Sequence, residues 1–286
     1  MTGEVQADIP IAEGRDRRFS LQAFPWWLVA IVGFLVLMLL LILTDSDYNR
    51  AFDFIRGRFG GIEGFQTNGW AGFIGTGITV TIYTTLVAFA IALVIGLLAG
   101  LGRVNSNVFI RNIAITYIEF IRGVPTLVLI FTVALVIVPA VSDALRIPNQ
   151  SISTNARGII SLAIIYGAFL AEVFRAGIES VPHGQTEAAR SLGLNGRQAM
   201  RHVVLPQAIR NVLPALGNDF IAMLKDSSLI SVLAVRDITQ MARLHAGSTF
   251  RFRESYLVLT FLYLSMTIAL SLVLRWYERR LRQHAH

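Results

Sequence analysis

The chain has 286 residues, 54% hydrophobic and 15% charged, with a formal net charge of +7 and no cysteine, and its mean hydropathy is +0.60. Soluble domains carry about 25% charged residues, and the apolar residues here gather in long runs of the kind that cross membranes, so a soluble globular domain is excluded. The missing cysteine rules out disulfides, zinc–thiolate sites, iron–sulfur clusters and thiol nucleophiles, and the arginines flank apolar spans, which fits membrane orientation better than nucleic acid binding.

Residues 1–23 form a polar leader with Arg15, Arg17 and Arg18 that reads as a disordered tail. Trp26 to Leu43 carries no charge over about 18 residues, or ~27 Å of helix against a bilayer core of ~30 Å. A signal peptide would need a shorter apolar core and a small-residue cleavage site. Leu43-Thr44-Asp45-Ser46 offers none, so an uncleaved span is expected, with Trp26 and Trp27 at its interfacial edge. Thr44 to Trp70 then reads as a polar loop containing Gly60, Gly61, Gly64 and Gly69.

Ala71 to Leu101 is the second expected span. The hydroxyls of Thr76, Thr79, Thr81, Thr84 and Thr85 can bond back to the preceding turn. Gly96 and Gly100 form a G-x-x-x-G pair suited to close helix approach, although glycine is common in membrane helices in any case. After a basic link from Arg103 to Arg111, Ile113 to Val138 gives a third span, with Glu119 and Arg122 near its start and Pro125 inside it. Proline removes a backbone donor and clashes with the turn before it, so a kink or an inter-subunit contact is the expected role of this stretch, with Glu119 able to pair with Arg122.

Ser142 to Arg157 is a second polar loop, and Gly158 to Ile178 a fourth span with Glu172 and Arg175 toward its end. A basic loop, Val181 to Leu205, leads into Ala208 to Val235, a fifth span despite Arg210, Asp219, Lys225 and Asp226. Arg236 to Glu254 reads as a loop and Tyr256 to Leu274 as the sixth span, followed by a basic tail. The expected architecture is thus an all-α polytopic membrane protein of about six transmembrane helices. Basic residues of the leader, the Arg103–Arg111 link, the Val181–Leu205 loop and the tail share one side of this threading, which predicts cytoplasmic termini, with Arg251 and Arg253 as an exception. Residues 1–25 form the leader, 26–70 an extra span and external loop, 71–278 the transport core and 279–286 the tail. Every connection is under ~30 residues, too short for a second globular domain.

The Val181–Leu205 loop carries the most specific signal. Thr186 to Leu192 is rich in strong helix formers and Pro182 lies just ahead of it. Gly193 is placed to stop that helix, and Asn195 to cap a second one ending at Leu205-Pro206. Ala188 and Ala189 leave part of the first helix nearly smooth. A rigid projection of this shape suits docking into a partner's groove.

Glu187-Ala188-Ala189, Gly193 and Leu205-Pro206 resemble the EAA motif of ATP-binding cassette importer permeases. Pro182-His183-Gly184-Gln185, Ser191-Leu192-Gly193 and Leu205-Pro206-Gln207-Ala208 narrow the resemblance to the polar amino acid, histidine-permease-like group. Arg122-Gly123-Val124-Pro125-Thr126, Ala171-Glu172-Val173-Phe174-Arg175-Ala176-Gly177 and Lys225-Asp226-Ser227-Ser228-Leu229 resemble the same group. The similarity runs from about Gly75 onward and leaves the first span and the Thr44–Trp70 loop outside it.

The resemblance implies a non-catalytic inner-membrane subunit, and no G-x-x-x-x-G-K-[ST] occurs in the chain. It implies two permeases, identical or paralogous, facing each other, and two ATPase subunits that hold ATP and Mg on their own chains. Those ATPases would dock through Glu187, Ala188, Ala189, Leu192, Gly193, Leu205 and Pro206, with Thr186–Leu192 as the coupling helix. An extracytoplasmic amino-acid-binding protein would deliver the substrate, and no nucleic acid partner is implied.

Glu172, Lys225, Asp226 and Ser227 are the candidate substrate contacts, because they are polar positions in otherwise apolar segments. A charge at the centre of a membrane helix costs at least ~2.5–3.5 kcal/mol and normally faces a partner or a cavity. A zwitterionic amino acid needs both a cation and an anion. The bland alternative is a structural Lys225–Asp226 ion pair or a snorkelling lysine, and pairing of Arg175 with Glu172 would remove that carboxylate from the set. His183, His202, His245, His284 and His286 do not form a ligand set, and neither H-E-x-x-H nor G-x-S-x-G occurs, so no metal or serine nucleophile is expected. A secondary transporter would need ion-coupling residues in several spans and would leave the docking loop unexplained. An intramembrane enzyme would need a nucleophile–base or metal pair that the sequence lacks.

Overall fold

The computed structural model describes residues 26–57 and 76–283. The leader, the glycines from Gly60 to Gly69, residues 284–286 and the side chains of Trp26 and Trp27 lie outside the described part. Among the described residues there is no strand, only a lone bridge between Gly77 and Asp237.

Helix α1 (Trp26–Thr44) is apolar throughout. At Asp45, whose carboxylate accepts from the Asp47 amide at 2.8 Å, the chain bends by 102° into α2 (Ser46–Arg56). Tyr48, Ala51 and Ile55 are the buried residues of α2, one helical stripe at i, i+3, i+7. The expected loop after Thr44 therefore opens as an amphipathic helix. Its polar average hid a three-residue apolar stripe behind a capping aspartate.

Helix α3 (Ile78–Arg103) forms the core with α6 (Thr154–Glu179). The close approach is made at Gly96 and Gly100: a Cβ on Gly96 would lie 2.6 Å from Leu170 Cβ, and one on Gly100 2.9 Å from the Ala171 carbonyl oxygen. The threonine hydroxyls largely bond back as expected, Thr81 to the Gly77 carbonyl and Thr85 to that of Thr81. Thr84 instead donates across to Asn155 Oδ1 of α6 at 2.7 Å.

The expected third span is two elements. Helix α4 (Val108–Gly123) ends before Val124-Pro125, and α5 (Thr126–Ala144) begins beyond it, with a π-turn at Val133–Ile137. Proline rejects the helical conformation in the residue ahead of it, and Val124 is accordingly extended, at φ −112° and ψ 139°. Helix α4 does not climb along α3. Ala114 faces Gly102, and Glu119 comes within 3.7 Å of Arg103, so its middle turns stay at the end of α3. Arg157 of α6 reaches into the π-turn of α5, donating to the Ala134 carbonyl at 3.2 Å and to Asn149 Oδ1 at 2.5 Å.

Beyond α6 come α7 (His183–Ser191), the short α8 (Gly196–Ala199), a π-turn (Met200–Val204) and α9 (Leu205–Asp226). The second helix of the loop does not end at Leu205-Pro206; it continues through the π-turn into α9. The wider turn accommodates Pro206, which has no N–H to give. Helix α9 gives way to a 3-10 turn (Ser227–Leu233), then α10 (Ile238–Thr249) and α11 (Phe252–Gln283). The expected loop from Arg236 to Glu254 is thus mostly helix, capped by Asp237 on the Gln240 amide at 2.9 Å.

Four described helices are long and apolar enough to cross a membrane, α3, α5, α6 and α11, and the bent pair α1–α2 makes a fifth if it counts as one span. Helix α9, with Arg210, Asp219, Lys225 and Asp226, is not among them. One core joins α3, α5 and α6 with the 3-10 turn. A second joins Met38 and Ile42 of α1 and Tyr48, Ala51 and Ile55 of α2 to Met241 of α10 and Val258 and Leu262 of α11. The Asp47–Arg251 ion pair closes the rim of that second core.

Candidate functional site

The projecting loop is built from its root outward. Val181, Val204 and Ala208 form a small apolar cluster with Ile178, and Asn211 of α9 donates to Ser180 Oγ at 2.8 Å. These contacts tie the end of α6 to the start of α9. Helix α7 stands beyond them with Ala189 as its one buried residue. Glu187, Ala188, Leu205 and Pro206 are exposed, and Leu192 is 85% exposed.

The end of α7 is a Schellman turn. The Leu194 amide donates to the Ala189 carbonyl at 3.2 Å and the Gly193 amide to that of Arg190 at 3.0 Å. Gly193 has φ +88°, and a Cβ there would meet nothing within 4 Å. Backbone conformation alone therefore calls for glycine at this position. Asn195 and Gln198 then close a capping box, each side chain bonding the other's amide at 2.9 Å.

At the far end of α9, Lys225, Asp226 and Ser227 point three ways. Asp226 Oδ2 accepts from the Tyr166 hydroxyl of α6 at 2.8 Å. Ser227 is fully buried and donates to the Leu224 carbonyl at 2.7 Å. Lys225 lines a cavity of about 470 Å³ with Ser228, Thr239, Thr260, Tyr263 and Thr267. Successive helical residues diverge by about 100°, and no ion pair joins Lys225 to Asp226 among the described residues. Tyr166 is the partner sequence reasoning missed. The available signal was a tyrosine in the middle of an apolar span, whose buried hydroxyl needs a partner.

Glu172 belongs elsewhere. Its Oε1 lies 3.3 Å from Nη1 of both Arg103 and Arg122, and its Oε2 lies 2.7 Å from Arg175 Nε. Arg103 also approaches Glu119, and Arg175 pairs with Glu179. Three helix ends, of α3, α4 and α6, are thereby tied at the side of the molecule that carries α7. Glu119 does not pair with Arg122 as the spacing suggested; each finds a partner on another helix. Six residues, about 9 Å of helix, separate Glu172 from Tyr166, so the candidate substrate set divides into an ion cluster around Glu172 and a separate group of Lys225, Asp226 and Ser227.

Comparison with known proteins follows the same outline. Residues 92–283 match the family described as the binding-protein-dependent transport system inner membrane component. A probable glutamine ABC transporter permease protein of Bacillus subtilis is 35% identical over 205 residues, which is 71% of this chain and 90% of that one. The histidine/lysine/arginine/ornithine transport system permease protein of Escherichia coli is 33% identical over 215 residues, 74% of this chain and 94% of that one. A crystal structure of an amino acid ABC transporter with histidines superposes with a TM-score of 0.65 at 39% identity, covering 71% of this chain and 92% of the other. The chain belongs to this family of inner-membrane components and is an amino acid ABC transporter permease, a multi-pass membrane protein. The family match begins at residue 92, past α1 and α2.

Proposed function

We propose that this chain takes up polar amino acids as one of two facing permeases, driven by two ATPase subunits that dock on α7 and supplied by an extracytoplasmic binding protein. The observation that carries the docking proposal is Leu192, an apolar side chain 85% exposed at the tip of a helix that buries only Ala189. Single exposed apolar residues are common on protein surfaces; this one stands at the tip of a rigid, doubly capped loop whose residues resemble the EAA motif, where a partner would bury it. Glu187, Ala188, Leu192 and Gly193 form the contact surface, with Ala189, expected to share it, buried beneath, and Leu205 and Pro206 begin the helix that carries its motion inward. This loop side is the cytoplasmic one, and ATP and Mg stay on the partner chains.

The ion cluster of Arg103, Glu119, Arg122, Glu172 and Arg175 sits at the root of that motion. Closure of an ATPase dimer changes the spans only if it gains contacts in one state over the other, and a rigid loop rooted on α6 and α9 transmits that difference. Lys225, which lines the cavity beside the end of α9, meets the amino acid on its path and serves its carboxylate, while Asp226, held by Tyr166, and the buried Ser227 fix the end of α9 behind it. Relatives named for glutamine and for histidine, lysine, arginine and ornithine favour a polar amino acid substrate.

The test is ATP hydrolysis by the assembled complex in vesicles with its binding protein, titrated with glutamine, histidine, arginine and an apolar control such as leucine. Stimulation by a polar amino acid is the expected result. Hydrolysis indifferent to every polar amino acid would contradict the substrate assignment.

A further inference from the structure

Helix α11 has 32 residues, about 48 Å of helix against a bilayer core of ~30 Å. Its last turns therefore leave the apolar layer. Leu274 packs on α9, where a Cβ on Gly217 would come within 2.2 Å of Leu274 Cδ1. Ser271, Leu274 and Glu278, on that stripe, are half-buried, and the rest of the surface from Leu272 to Arg280 is exposed. On this outward strip Leu272 and Val273 are followed, over the next two turns, by Arg275, Trp276, Arg279 and Arg280. Such a change on a face turned away from the protein marks the depth at which lipid tails give way to headgroups.

The guanidinium of Arg280 lies 4.4 Å from the centre of the Trp276 ring, which holds a cation against an interfacial aromatic. Arg275 and Arg279 stand at i and i+4 on one stripe and make no ion pair among the described residues. The nearest acid in sequence, Glu278, is on the half-buried side toward α9. Arg210 of α9, also exposed, lies seven residues before Gly217, about 10 Å toward the same end of the pair.

We propose that Arg275, Trp276, Arg279 and Arg280 form a binding site for the phosphate headgroup of an anionic phospholipid. A phosphodiester accepts paired N–H bonds from guanidinium groups. A zwitterionic headgroup brings its own ammonium to the same place and is the weaker ligand. Each basic residue near an anionic leaflet favours association by about five-fold. The site is independent of which amino acid is carried and of whether ATPases dock on α7.

The test uses the assembled permease complex in phosphatidylcholine vesicles with rising fractions of brominated phosphatidylglycerol or brominated phosphatidylcholine. Quenching of Trp276 is isolated as the difference between the intact protein and its Trp276→Phe variant. The expected result is several-fold more effective quenching by the anionic lipid. In the triple variant Arg275→Gln, Arg279→Gln, Arg280→Gln the two lipids should quench alike, and persistent quenching shows that the helix is still seated in the bilayer. Arg253→Gln, at the other end of α11, should keep the preference. Equal quenching of the intact protein by both lipids, or loss of the preference in Arg253→Gln, overturns the site. Absence of quenching by either lipid would put a protein chain over the strip and overturn it too.

Discussion

Gly193 offers a perturbation confined to the backbone. Its φ is +88° and a Cβ would meet nothing within 4 Å, so a substitution meets no neighbour, and the root of the loop at Val181, Val204 and Ala208 is untouched. Alanine in the left-handed region costs about 1–2 kcal/mol, which lowers the ratio of native to altered turn by a factor of ~5–30 at 298 K. Asparagine visits that region more readily, and valine, branched at Cβ, less readily than alanine. If the ATPase binds the turn in its native shape, its affinity for the permease follows the order Gly, Asn, Ala, Val, with Gly193→Ala weaker by up to that ~5–30 fold. The assay is equilibrium binding of purified ATPase to the permease in mild detergent, with thermal unfolding of the permease as the control. Equal affinity for the glycine and valine proteins would refute the reasoning, because it would mean that α7 and its turn are not read by the partner.

Other consequences test separate parts of the account. Lys225→Met should weaken the amino acid concentration dependence of stimulated ATP hydrolysis; full stimulation at unchanged affinity would remove Lys225 from the substrate path. Gly96→Leu inserts a side chain where even a Cβ lies 2.6 Å from Leu170 Cβ, and the α3–α6 pair should lose about 1–3 kcal/mol, measured as reduced thermal stability of the permease in detergent. Burial pushes the Asp237 carboxyl up to about 6, from 3.8, against the lowering effect of the Gln240 amide bond. A folded-state value above the unfolded one means that stability is lost as pH rises from about 4 through 6. Asp237→Asn, which still caps α10, should therefore raise the melting temperature at pH 7.5 and lose that advantage by pH 4; an advantage equal at both would refute the assignment.

The sequence was most legible where one residue type had one physical job. Gly96 and Gly100 marked a face open to close helix approach, though not the helix that meets it, and Gly193 with Asn195 announced the stop and restart of the loop. Helices α2 and α10 were hidden because each is short and polar on average, and only a stripe such as Tyr48, Ala51 and Ile55 carries their period. Pro125 was read as a kink inside a span, whereas the charged residues before it, Glu119 and Arg122, already set α4 apart from the apolar span that follows. The candidate substrate set suffered from a different limit. Neighbours in sequence, Lys225 and Asp226, face apart on a helix, and the arginines that occupy Glu172 come from three helices separated by up to seventy-two positions between Arg103 and Arg175. The Arg175 pairing is local, at i, i+3, and was open to reading; those of Arg103 and Arg122, from other helices, leave no local pattern to read.

The central claim is that this chain is the membrane half of an ATP-driven importer, energised through α7. Affinity purification of the tagged chain from its native membrane in mild detergent, followed by identification of everything retained, tests it most directly. The account predicts that an ATPase and a second permease chain, identical or paralogous, come with it. A chain recovered alone that still moves amino acid into liposomes without ATP would contradict it.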